Sequence, residues 1–285
     1  MPDASHDTQG YERALGLLHE CATPDGFLAA ITDRDNYRRV WARDGIVMGL
    51  SALLTDDQKL HEAHLATLRT LMHHQGPHGE IPSNVDARSG RVSFGGTTGR
   101  VDADLWFIIG CGAYFRKTND ERFLEECLPT LKKVQFLLGA WEFNTRGLLY
   151  VPQTGDWSDE YLQEGYILYD QLLYYRALSE LCEMEQAYRG EKDRQLCAKI
   201  GRLRDLIRAN YWFVQCDLDE PDAYHPVLHK KGCEAAVHRN RHWMAFFSPA
   251  GYGYRFDAIG NILVSLFDVA DDEQRALVDE FVADE

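Results

Sequence analysis

The stretch VDADLWFIIGCGAYFRKTND, residues 101–120, decides how this chain is read. Apolar positions recur at three- and four-residue spacing through 103–117, which is the period of a packed helix. A short polar turn, KTND (117–120), follows, and Thr118, Asn119 and Asp120 are residue types that start helices. The same period then resumes in ERFLEECLPTLKKVQFLLGAW (121–141). Two helices joined by so short a turn predict an antiparallel hairpin.

Working outward, the same period marks 11–22, 45–54, 59–72, 168–188, 194–212, 256–267 and 273–282. The chain therefore reads as nine helices with no convincing alternating strand pattern. Asp44, Thr55-Asp56-Asp57 and Asp271-Asp272 supply further helix-start signals. Short turns alternate with long connections at 76–100, 142–161 and 213–254, each carrying Gly, Asp or Asn and aromatic residues. Long loops in a compact protein are uncommon unless they carry function. In an antiparallel set of helices every second connection falls on one end, so one elaborated face is expected. No composition break divides the chain, and residues 1–285 read as a single domain.

Composition narrows the partners. Of 285 residues, 45% are hydrophobic and 12% aromatic, as in a well-packed globular protein. Forty-five acidic residues against thirty basic ones give a formal charge of -15, a field that repels phosphate backbones and argues against nucleic acid. No stretch approaches the ~20 apolar residues that span a bilayer, so no membrane partner is expected. The start, MPDASHDTQG, has neither the basic nor the apolar region of a signal peptide, which makes a cytoplasmic location the expectation. Seven scattered cysteines without CxxC pairs, several inside apolar helical runs, favour free core thiols over a disulfide framework.

Four stretches border the long loops. They are VWARDG (40–45), IPSNVD with VDADLWF (81–86 and 101–107), TGDWSDEY (154–161) and GYGYRFDAIGN (251–261). Each joins an aromatic ring to a carboxylate, and all but TGDWSDEY also carry Arg or Asn. Aromatic faces stack on the C–H faces of sugar rings, and carboxylates with Arg grip hydroxyls. Carboxylates also provide the acid and base that glycosidic cleavage uses.

The ordered set VWARDG, VDADLWFIIGCGAYFRKTND and GDWSDEY…YDQLLYYRALSEL resembles the six-hairpin glycosidases. Glycogen-debranching-type amylo-α-1,6-glucosidases and neutral/alkaline invertases are the patterns it is most similar to. The resemblance spans about residues 10–280 and implies an all-α fold, an (α/α) barrel or toroid of helical hairpins. It implies a hydrolase, inverting in mechanism, acting on a glucose-containing oligosaccharide or glucoside, sucrose among the alternatives.

By position, Arg43 and Asp44 match the pair that holds the sugar being cleaved, with Trp41 beside them. Asp102 and Trp106 match a second wall of that subsite, and Asn84 and Trp157 complete the substrate-binding set. Asp159 matches the general acid, with Asp156 as its rival. A neighbouring ring such as Trp157, or a second carboxylate, would raise an acid's pKa in the required direction. In the family the catalytic base lies in a later hairpin, and no matching motif follows residue 256. The toroid is therefore expected to lack its last helices, and a second copy in a homo-oligomer, or another partner, would cover the exposed apolar faces.

Blander readings stand beside these. Arg43 and Asp44 suit a salt-bridged helix start, Asp102 suits a helix cap, and Asp159 suits a solvated acidic loop. A non-catalytic carbohydrate-binding scaffold fits the absent base, and a toroid epimerase using histidine fits the His238–His242 region. His225, His229, His238 and His242, with Cys216 and Cys233, present imidazoles at helical spacing but lack a CxxC partner, so no metal is assigned. With no GxGxxG, Walker or GxSxG element, no cofactor is assigned either.

Overall fold

The computed structural model describes residues 4–33, 35–158, 160–161, 163–214, 216–236 and 241–284. Among these lie ten helices and three small sheets, in two compact units, 1–135 and 136–285.

In the first unit, helix α1 (Ala4–Cys21) leads into the hairpin of β1 (Ala22–Thr23) and β2 (Gly26–Phe27). Strand β3 (Val40–Trp41) then runs without a break into α2 (Ala42–Leu53). A four-residue turn leads to α3 (Gln58–His73), where the Asp57 carboxylate caps the helix by accepting from the Lys59 and Leu60 amides. Strands β4 (Asn84–Asp86) and β5 (Arg91–Ser93) precede α4 (Val101–Thr118). Asn119, in the left-handed conformation, ends α4, and Asp120 caps α5 (Glu121–Trp141) through the Arg122 and Phe123 amides. The hairpin read from 101–141 is therefore present, with its turn at the expected residues.

Helix α2 packs against both α3 and α4. Glycines set how closely they approach. A Cβ on Gly49 would overlap the His64 ring, and one on Gly110 would lie 2.6 Å from Ile46 Cδ1. His64 fills the space under Gly49, is fully buried, and contacts the Gly110 carbonyl through Nε2 at 3.3 Å. Burial drives its pKa down to about 4, so the ring is neutral.

The second unit holds β6 (Tyr166–Ile167), which runs directly into α6 (Leu168–Arg189), and α7 (Arg194–Tyr211), capped by Asp193. Next come α8 (Pro226–Ala236), β7 (Met244–Ser248), β8 (Gly251–Phe256), α9 (Ala258–Leu266) and α10 (Asp272–Asp284). Helix α6 packs against α7 and α9. At the head of α10, Asp271 accepts from the Gln274 amide and Gln274 Oε1 accepts from the Asp271 amide, a reciprocal capping box.

Three expectations are corrected. The helices number ten among the described residues, because α8 lies inside the stretch taken as a loop. It is short, and its surroundings are polar enough to hide the period. The strands were missed because most span two or three residues, too few to alternate, while β7 is inward-packed at four of five positions. Cys216 and Cys233 are joined in a disulfide, with Cα atoms 5.7 Å apart, whereas Cys21, Cys111, Cys127, Cys182 and Cys197 are free. Cys233 sits on the unforeseen α8, which folds back towards residue 216.

Small sheets tie separate connections together within each unit. Strands β3, β4 and β5 form one antiparallel sheet that ties 22–41 to 74–100. Strands β6, β7 and β8 form another that ties 166–167 to 244–256. Among the described residues no helix is long and apolar enough to cross a membrane.

Candidate active site

In the first unit the site begins at the β3–α2 junction. Trp41 pairs with Asn84 across the sheet, and the Ala42 amide continues the ladder by donating to the Ser83 carbonyl at 2.9 Å. Helix α2 thus starts on strand hydrogen bonds, and its N-cap residue Trp41 makes no side-chain cap. Asp44 does not cap the helix, as the sequence suggested. It lies within the first turn, half-buried, where the helix dipole favours a negative charge.

Arg43 Nη1 donates to Asp102 Oδ2 at 2.6 Å, with the Asp102 side chain 1% exposed and Arg43 29%. Asp102 is therefore not the cap of α4 either. That position belongs to Arg100, and the Asp102 carboxylate faces the guanidinium instead. Trp106 follows one turn later on α4 and is buried. Arg39 donates to Asn84 Oδ1 at 3.0 Å, and the Trp41 indole donates to the Asn36 carbonyl while stacking on Tyr37 at 5.6 Å. Arg43, Asp102, Trp41 and Asn84 are thereby linked, through β3, α2, β4 and α4, in one unit.

Asp104 was not singled out from the sequence. It is buried and accepts from the Ile81 amide at 2.8 Å. Burial pushes its carboxyl well above the usual range, the charges of Glu80 and Asp102 add to the rise, and the Ile81 amide opposes it. Asp86, at the end of β4, behaves oppositely. The Ser89 hydroxyl, with Arg91 and the Arg88 and Ser89 amides, holds it at about 2.

In the second unit Asp156 is 1% exposed. Its carboxylate accepts from the Ser158 amide at 3.0 Å, the Ser158 hydroxyl, and Gln163 Nε2 at 2.6 Å, so it organises its own loop. Trp157 is 38% exposed and meets the edge of Tyr169, the second residue of α6, at 6.3 Å between ring centres. Asp159 lies outside the described residues. Asp257, at the N-cap of α9, is the residue that sequence reasoning passed over. Burial raises its pKa, and the charge of Asp156 acts in the same direction against the Gly260 and Ile259 amides. It shows the environment sought for a general acid, and its signal was an Asp placed between an aromatic strand and an apolar helix in GYGYRFDAIGN.

Comparison with known families follows from this arrangement. The model of the family described as alkaline and neutral invertase matches residues 11–225. The chain belongs to that family. The match takes in the β3–α2 junction, the head of α4 and the Asp156 loop, the stretches on which the resemblance was founded. Among solved structures, the chain is similar to a rhamnosidase from Klebsiella oxytoca with rhamnose bound, with a TM-score of 0.62 and 14% identity. That likeness covers 93% of this chain and 46% of the rhamnosidase chain, so this invertase-family chain spans less than half of that protein's length. It shows the fold: the all-α, (α/α)-barrel class that the resemblance implies. No curated protein matches the chain.

Proposed function

We propose that this invertase-family chain carries a glycoside hydrolase site that cleaves a glucose-containing oligosaccharide, with sucrose the first substrate to test. The observation that carries the reading is the Arg43–Asp102 ion pair, buried on its carboxylate side and set between Trp41–Asn84 and Trp106. An ion pair that only stabilised the helix start would gain little from being desolvated, because desolvation offsets most of its Coulomb energy. A sugar hydroxyl exchanging hydrogen bonds with such a pair gives it a reason to be there.

The acid comes from the loop after residue 153 or from the α9 cap. Asp159 keeps its place as first choice from the family pattern. Asp156 is less suited, since its carboxylate already accepts from Ser158 and Gln163. Asp257, raised by burial, is the alternative. Whichever acts must hold its proton near neutral pH and deliver it to the leaving oxygen, while a second carboxylate activates water from the opposite side in an inverting reaction.

The test is hydrolysis of sucrose, maltose and isomaltose by the purified chain and by Asp159→Asn, Asp257→Asn and Arg43→Ala. Sugar release by the wild type that Asp159→Asn or Asp257→Asn abolishes, with folding intact, supports the reading. Sugar binding by calorimetry without turnover would replace it with a binding function. Neither binding nor turnover of these sugars would remove the glucoside assignment.

A further inference from the structure

The disulfide pair Cys216 and Cys233 has a third neighbour, His229. The imidazole lies on α8, four residues before Cys233 and on the same helix face, and it is 2% exposed. Its Nε2 is 3.0 Å from the Ala209 carbonyl at the end of α7, and a carbonyl can only accept. Nε2 therefore carries the proton, which leaves Nδ1 as a bare lone pair. That atom faces Cys233 Sγ at 3.6 Å. A disulfide sulfur has no proton to offer it.

The ligating atoms of Cys216, His229 and Cys233 all lie within 4.8 Å of one another. We propose that, with the two sulfurs reduced, Cys216, His229 and Cys233 hold a zinc-class divalent cation between α8 and the segment that follows α7. Two thiolates and one neutral imidazole are a set that suits zinc, with the fourth position left to water. The Nε2–H to backbone carbonyl contact is the arrangement that orients a metal-binding histidine and fixes its tautomer. Cys216 and His229 also line a cleft of about 300 Å³ together with Asp205, Asp217, Glu220 and Asp222 against the cation Arg208, an acidic surround that favours a cation even though Asp222 is paired with Arg202.

The chemistry balances in two steps. A thiol reductant gives two electrons and two protons to the Cys216–Cys233 bond, forming two cysteine thiols and the reductant's own disulfide. The cation then displaces both thiol protons and binds two thiolates and His229 Nδ1. Disulfide and metal are alternative occupants of one place. Cys182 and Cys197 form a second close pair, with sulfurs 3.3 Å apart and no bond between them.

The experiment is metal analysis of the full chain purified under a thiol reductant without chelator, followed by Co²⁺ titration of the chelator-stripped protein. About one zinc per chain, and Co²⁺ absorption with a thiolate charge-transfer band, are expected. Cys216→Ser should roughly halve that band at saturation and weaken Co²⁺ binding by at least ~100-fold, and His229→Ala should shift the visible bands. Should the variants fail to fold, the wild type alone decides: oxidation by diamide must expel zinc in step with loss of two titratable thiols. A reduced wild type that binds neither zinc nor Co²⁺ stoichiometrically, or a Cys216–Cys233 bond that survives excess thiol in the folded protein, overturns the proposal.

Discussion

The β3–α2 and β6–α6 junctions are built alike and furnished differently. In both, a two-residue strand passes straight into a helix, the N-cap residue (Trp41 or Ile167) is extended and makes no side-chain cap, and an Asp sits in the first turn. At β6–α6 that Asp, Asp170, is fully buried, and the side chain that ties the neighbouring loop is a neutral amide. Gln171 accepts from the Leu149 amide and donates to the Leu149 carbonyl, each at 2.9 Å, so one side chain pairs a loop as a strand would. Asn261 does the same for Trp243. At β3–α2 the polar group is the Arg43–Asp102 ion pair. Neutral amides evidently suffice to anchor a loop to a helix in this protein. The charged version costs more desolvation for the same mechanical task.

The comparison breaks most visibly at Arg43. Arg43→Ala removes the guanidinium that faces the buried Asp102 carboxylate and should cost on the order of 1–3 kcal/mol in urea unfolding. On the proposed sugar it should lower kcat/KM by at least ~100-fold, through loss of positioning. An unchanged kcat/KM with lowered stability would reduce the pair to a structural one.

A pH effect of nearly that size comes from His64 beneath α2. Its folded pKa of about 4 lies below the unfolded value near 6.5, so the stability it contributes is present above pH 6.5 and lost as pH falls towards 4. The loss should approach ~3 kcal/mol, and His64→Gln should flatten the slope between pH 6.5 and 4. The same slope in both proteins would assign the acid sensitivity to other groups.

Gln171→Ala orphans two buried backbone groups of Leu149 and should cost about 2 kcal/mol, with little change between pH 5 and 8. A pH-dependent cost there would erase the distinction between the junctions. The smallest effect is expected at Asp104, whose carboxyl burial has already pushed up. Asp104→Asn keeps an acceptor for the Ile81 amide and should cost less than ~1 kcal/mol, measured by thermal unfolding at pH 7.

Much of this fold can be read from periodicity and capping residues. Asp57, Asp120 and Asp271 each cap the helix their sequence announces, and the turn at 117–120 falls where KTND places it. The strands resist such reading because pairing partners such as Trp41 and Asn84 lie 43 positions apart in sequence and no two-residue strand alternates. Asp44 misled for a related reason. The cross-strand bond from Ala42 to Ser83 starts α2 three residues earlier than a cap at Asp44 would. At the site, the pairing of Arg43 with Asp102 was within reach of the resemblance, since both residues fall in its motifs. The properties of Asp104 and Asp257 were not, because a raised pKa is set by burial, and burial of a single carboxyl is a matter of tertiary packing.

The alternation of capped tight turns with strand-bearing loops also sets where this chain can be altered. Turns such as 54–57 and 190–193 are short, sealed by Asp57 and Asp193 at their helix starts, and carry none of the chemistry discussed above. They are the natural places for circular permutation, affinity tags or fluorescent insertions. The loop stretches at 94–99 and 152–158 answer to the opposite demand. Residues there can be exchanged for those of other family members while hairpin assembly is left to the turns, so substrate range and foldability can be varied in separate libraries.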